Sequence, residues 1–390
     1  MFTIVNMVHF LVKWSTRGAF HRGRRRIPTR PMAATTAQPA PHQIPGSAVS
    51  CVMRTRSTGT APALAALALA VVFATSAHAQ YTPSAGENAP AAAYESSKDD
   101  RTGAVRLRKV DAPVAQDTHG NARGNQYDLA VDGAFEGQTV LILDQVGNTL
   151  VNTRKALGEK GLASVVYPPG NTPPVAELRA GLAKSCELWL LSSSGPQLSD
   201  AHIAVIKAFF DAGHGVYICG DNDPLYADAN RVAQALVPGL RMEGDLGGNQ
   251  VVGVADDGKH IGLRKQHLIT TGLLHLYEGV TIATIQFRAS QGRSSALYDG
   301  ENPAFAQVRA PQLPPGFTPI LHGSAGNLVT VAYEANGKRL VMDGGFTRLA
   351  VSWDDAGTAR YVKNAAAWLV NAERFGAAVV AQKAVGPTAE

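Results

Sequence analysis

Between Thr139 and Leu236 the chain alternates short apolar runs with stretches of helical period, and that alternation leaves few folds open. Thr139-Val140-Leu141-Ile142-Leu143 is apolar without a break, the pattern of a strand covered on both faces. Ala163–Tyr167, Leu188–Leu191 and Gly215–Cys219 repeat it. Between them, Leu150 to Lys160, Val175 to Leu182 and the stretch after Ser199 have helical spacing, and Ala227 to Leu236 follows the last strand. Ser199 is a cap residue in front of a face made by Ile203, Ile206, Phe209 and Phe210. Gly161 and Gly213 stand where helices stop, and Pro168-Pro169-Gly170-Asn171 turns the chain. Strands that alternate with helices predict an α/β fold with a mostly parallel sheet and right-handed crossovers.

The second half is less regular. Val251 to Ala255, Val280 to Ile285, Asn327 to Glu334 and Arg339 to Asp343 read as strands. The last two form a late β-hairpin around Asn336-Gly337. Thr358 to Asn371 is a closing C-terminal helix with Tyr361, Ala365 and Leu369 on its buried stripe. One domain is expected over residues 127–376, with a weakly patterned tail over 377–390.

The front of the chain has another character. Residues 53–79 have the make-up of a secretory signal peptide: Arg54 and Arg56, an apolar core from Ala63 to Ala74, and Ala77-His78-Ala79 before Gln80. The apolar run is shorter than the roughly 20 residues of a membrane span, and no Cys follows the cut to take a lipid. Residues 1–52 read as an over-long gene start or a disordered leader, and 80–126 as a flexible linker. The residues before Gln80 hold nine basic and no acidic side chains, leaving 27 basic against 31 acidic after it, a net charge of −4. The basic balance belongs to the leader, which excludes nucleic acid as an expected partner. Cys186 and Cys219 open and close successive predicted strands, so about 15 Å should separate them, too far for a disulfide.

Polar residues gather where strands end. Ser192, Ser193, Ser194 and Gly195 follow the third strand; Asp221, Asn222 and Asp223 follow the fourth, with Asp228 just beyond. In an open α/β sheet such carboxyl-edge tips form the ligand site. Asp223-Pro224 also reads as a plain helix start, Asp at the cap and Pro at the first position, and closely spaced oxygens could hold Ca²⁺ or Mg²⁺. Asp343-Gly344-Gly345-Phe346-Thr347-Arg348 follows a strand. Its glycines let backbone amides approach a ligand, and Arg348 can bind an anion or pair with Asp343 or Asp354. Trp353 can stack on a sugar ring or pack in the core, and Asp355 can cap the closing helix. His260 and His275 lack zinc spacing, and neither a P-loop nor a dinucleotide fingerprint is present, so no metal or cofactor is expected.

Thr139 to Leu236 resembles the class I glutamine amidotransferase-like superfamily, which implies a flavodoxin-like, doubly wound sheet. His267-Leu268-Ile269-Thr270-Thr271-Gly272-Leu273 is similar to a stretch of its trehalose-utilisation-like branch, as are Asn364, Ala365 and Trp368 in the closing helix. The resemblance implies a nucleophile at Cys219 and a pocket role for His267; the family's His-x-Glu partner pair is not present at the expected late strand. Here Tyr217 stands in place of the family's first glycine and Gly220 comes one position early; the other reading of Cys219 is a buried strand-end thiol.

The expected function is a secreted, non-catalytic domain binding a small polar ligand, with carbohydrate suited to carboxylates, amides and an indole. Its pocket would hold Ser193, Ser194, Asp221, Asn222, Asp223, Asp343, Arg348 and Trp353. A cysteine-dependent hydrolase or amidase using Cys219 and His267 is one alternative, and an envelope structural module another. Expression in a Gram-negative host should export the protein to the periplasm, and N-terminal sequencing should begin at Gln80. Retention of residues 53–79 in the purified periplasmic protein would refute the cleavage.

Overall fold

The computed structural model describes residues 92–147, 150–255, 262–265, 267–287, 313–353 and 356–376. The signal sequence, the tail, His260, Asp354 and Asp355 lie outside the described residues. The stretch read as a linker carries structure in its described part. Strands β1 (Ala93–Lys98) and β2 (Val105–Val110) form an antiparallel hairpin with mostly exposed side chains. The hairpin is fastened by Tyr127, whose hydroxyl accepts from the Tyr94 N–H at 3.2 Å. Alternating polarity was too weak there to signal strands, because the hairpin buries little of either face.

The main body follows the predicted order: β3 (Thr139–Asp144), α1 (Val151–Glu159), β4 (Ala163–Tyr167), α2 (Val175–Leu182), β5 (Glu187–Leu191), α3 (Asp200–Asp211), β6 (Gly215–Cys219) and α4 (Ala227–Leu236). Then come β7 (Leu240–Gly247), β8 (Val251–Gly253), β9 (Gly262–Leu263), β10 (His275–Tyr277), β11 (Thr281–Phe287), β12 (Phe317–His322), β13 (Leu328–Ala335), β14 (Lys338–Asp343) and α5 (Thr358–Leu369). Among the described residues the main sheet has eight strands in the order β4-β3-β5-β6-β14-β13-β12-β9. The first five are parallel and the rest antiparallel. Strand order and mixed direction make this a flavodoxin-like α/β fold. The β13–β14 turn has Asn336 and Gly337 both at positive φ, 53° and 70°, as a tight hairpin of this hand requires. The sequence did not signal β7, β9, β10 or β12.

Strand alternation sorts the core into two layers. Val140, Ile142, Trp189, Leu191, Tyr217, Cys219 and Val341 face α1 and α5. Leu141, Leu143, Leu188, Leu190, Val216, Ile218, Leu340 and Met342 face α2, α3 and α4. Helices on both faces are why the strands read as unbroken apolar runs. Ser199 caps α3 as expected: its side chain accepts from the His202 N–H, and His202 returns the bond. Cys186 and Cys219 are both free and buried, at opposite ends of neighbouring strands, since Glu187 pairs with Gly215 and Leu191 with Cys219.

One acidic group stands inside the α1/α5 layer. Glu187 is fully buried, and its Oε2 accepts from the Trp189 indole N–H at 2.8 Å. Burial pushes its carboxyl well above the usual range, and the indole bond only partly offsets this. The folded state therefore keeps a proton that the unfolded chain gives up above about pH 4.3. Stability is full below that pH and falls as pH rises, by at most about 1.4 kcal/mol per unit. Glu187→Gln should flatten that slope and be the more stable form at pH 8, read by urea unfolding at pH 5 and pH 8. Parallel slopes for the two proteins would refute the assignment.

Candidate functional site

The structure brings together four of the residues singled out in the sequence. Cys219 at the end of β6 is in register with Asp343 at the end of β14. The Gly220 N–H donates to the Asp343 carbonyl at 2.9 Å, and the Phe346 N–H to the Gly220 carbonyl at 3.0 Å. The Thr347 N–H donates to Asp221 Oδ2 at 3.3 Å. Arg348 Nη2 lies 3.1 Å from Asp343 Oδ1. The tip after β6 and the diglycine turn after β14 thus converge.

They converge on each other. Cys219, Asp221, Asp343 and Arg348 are all at 0% exposure. Asp343 Oδ2 accepts from the hydroxyls of Tyr217 and Tyr361 at 2.8 and 2.7 Å, and Oδ1 from Thr330 and the Gly345 N–H. Arg348 donates to the carbonyls of Gly345 and Glu278 and lies over the Tyr361 ring. The glycines serve close backbone approach, but to the chain itself. A Cβ on Gly344 would stand 2.8 Å from the Ala283 carbonyl oxygen, and one on Gly345 would collide with that of Glu278.

This seals Cys219. It stands in extended backbone, outside the left-handed region. Burial pushes its thiol well up, Asp343 adds to the rise, and Arg348 offsets only part of it. Burial also raises the Asp221 carboxyl to about 7, against hydrogen bonds from Thr281 and the Asn222 and Thr347 amides that lower it. His267 is elsewhere. Its ring meets Trp368 edge-on at 4.8 Å, and its Nδ1 accepts from the Ile269 N–H. Trp368 is at the end of α5, where its carbonyl binds Arg339 near the start of β14. Four residue steps along the strand, about 13 Å, separate Arg339 from Asp343, so His267 belongs to the amino edge and the Cys219–His267 pair does not form. Burial, with Arg339 nearby, lowers the His267 ring to about 4.

The serines and the rest of the acidic cluster go to other tasks. Ser192 Oγ accepts from the amides of Asp228 and Ala229, capping α4 from the neighbouring strand. Ser193 Oγ binds the Gly195 carbonyl and Gln197, and Ser194 is exposed. Asp223 is not the cap of α4, which starts at Ala227 behind a cis Asp223–Pro224 peptide; its carboxylate accepts from the Tyr226 hydroxyl. Asn222 binds Asp245. Asp228 is fully engaged by Gln145, the amides of Gln197 and Leu198, and Arg231. Each of these side chains is taken up by its own partners, so the expected single pocket is not formed here; among the described residues no group of three acidic, His or Cys side chains is placed to hold a metal ion.

Trp353 stands apart from this cluster, in a cleft of about 390 Å³ between residues 117–125, α1 and the first turns of α5. Arg360 and Lys363 are among the residues that line it. Behind them the buried Asp128 takes Lys160 at 2.9 Å, Lys363 at 2.7 Å and Arg360 at 2.9 Å. Burial alone would raise the Asp128 carboxyl; the three cations together hold it below the usual range. The sequence signalled only Trp353 here, because the other groups are far apart along the chain.

No protein-family model matches the chain, and no curated protein is similar to it in sequence. Among solved structures it is similar to a protein assigned as a component of GMP synthase from Thermoplasma acidophilum, at 10% identity and a TM-score of 0.37, over 62% of this chain and 98% of that one. It is also similar to an exo-β-1,4-mannosidase from an Opitutaceae bacterium, at 9% identity and a TM-score of 0.32, over 60% of this chain and 36% of that one. The fold assignment stands on the strand order.

Arg348→Leu should destabilise the protein by about 3–5 kcal/mol, because it leaves the Asp343 carboxylate buried without its charge partner. Urea unfolding at pH 7 measures this. A loss below about 1 kcal/mol would show that the pair carries little of the packing.

Proposed function

We propose that this chain is an exported, non-catalytic ligand-binding domain on an amidotransferase-like α/β scaffold. The observation that carries it is the closed end of β6. A nucleophilic thiol needs access, a base and a way to hold its charge. Cys219 has 0% exposure, a thiol pushed up by burial and by Asp343, and no contact with His267, which packs on Trp368. Export rests on the composition of residues 53–79. Binding is supported by the open cleft at Trp353, which is within the size range of small-molecule sites, roughly 300–1,000 Å³. Its indole, amides, carboxylates and cations suit a polyhydroxylated ligand.

Native protein treated with iodoacetamide at pH 8 should label Cys219 about 100-fold more slowly than protein unfolded in urea, since access requires opening the packed strand end. Rapid labelling of Cys219 in the native state, located by peptide mass, would overturn the non-catalytic assignment.

A further inference from the structure

The cleft beside Trp353 holds binding groups that the other described residues leave unused. Trp353 is half-buried, with part of its ring packed against the α1/α5 layer. Its indole N–H has no partner, and its ring no aromatic neighbour, among the described residues. Arg123 and Lys155 line the same cleft, and neither makes a hydrogen bond or ion pair through its side chain among the described residues. The other charges there are committed. Arg360 and Lys363 are held by Asp128, Glu159 accepts from Lys363 and Asn125, and Asp117 accepts from Asn121 and the His119 amide. Among the described residues, what remains on offer is one flat apolar ring with its N–H donor, and two cations.

An indole stacks on the C–H face of a pyranose, and its polar edge can meet a hydroxyl. Arginine and lysine take a carboxylate through charge-assisted hydrogen bonds. A neutral sugar would leave both cations unused, and a simple anion would leave the ring unused. α5 also presents its positive end to the cleft, with no side-chain cap at Gly357.

We propose that the cleft binds a carboxylated sugar of the uronic-acid type, its ring on Trp353 and its carboxylate drawn to Arg123 and Lys155. This rests on the binding-domain function proposed for the chain and names the ligand class.

Calorimetric titration of the mature protein with glucuronate and galacturonate tests it, with glucose and acetate as control probes. At least one uronate should bind, at least tenfold more tightly than glucose or acetate. Trp353→Ala should weaken uronate binding at least tenfold. Arg123→Gln combined with Lys155→Gln should bring uronate down to the level of glucose. These three side chains lie at the surface or only half-buried, and unchanged thermal melts would show that the variants fold. Equal binding of glucose and uronate, binding of acetate as tight as uronate, binding unaffected by Trp353→Ala, or no binding of either uronate would each overturn the assignment. Those failures concern the ligand class alone; fast native labelling of Cys219 would sink the non-catalytic function whatever the titrations showed.

Discussion

The carboxylate of Asp343 ties the carboxyl edge of the sheet together. It stands at the end of β14, the strand where parallel pairing gives way to antiparallel. A charge at 0% exposure is tolerable only if it is answered on all sides. The answers come from β6 through Tyr217, from β13 through Thr330, from α5 through Tyr361 and from the following turn through Arg348 and the Gly345 amide. To reach it they must occupy the space beyond the strand ends, which in an open α/β sheet is the place for a ligand. The filled space at Cys219 and the burial of Arg348 follow from that one requirement.

A second buried carboxylate, Asp128, ties the first turns of α5 to the body beside Tyr361. Asp128 gathers Lys160 from the end of α1 and Arg360 and Lys363 from α5. Arg360 extends the link to the carbonyls of Gly124 and Gly272, and Asn364 to those of Ile269 and Thr271. The segment 267–272 therefore runs along α5, which carries His267 away from Cys219. The cleft with Trp353 is lined by the 117–125 segment, by α1 and by the first turns of α5. The sheet edge at Cys219 is filled, and the cleft lies at the helical face.

Much of the fold was legible because burial on both faces writes itself directly into sequence. β3 to β6 and their helices lie within a residue or two of the apolar runs and cap signals that predicted them, and Asn336-Gly337 marked its hairpin through the backbone it alone favours. The strands that went unread, β7, β9, β10 and β12, are short, irregular or half-exposed. β1 and β2 expose most of their side chains and carry no period to read. α5 was read as amphipathic from Tyr361, Ala365 and Leu369, yet every residue in it except Ala359 is buried. Its polar side is enclosed by partners more than 200 residues away, such as Asp128.

By itself the sequence determined the α/β class, the order of the central elements and the meeting of Asp221 with Arg348 at one sheet edge. These follow from local periodicity and strand direction, which neighbouring residues encode. Only the tertiary structure decided whether that meeting place was hollow or solid. The outcome depended on side chains from β6, β13 and α5 competing for one carboxylate, and space left between distant elements has no signature in the order of residues along a chain.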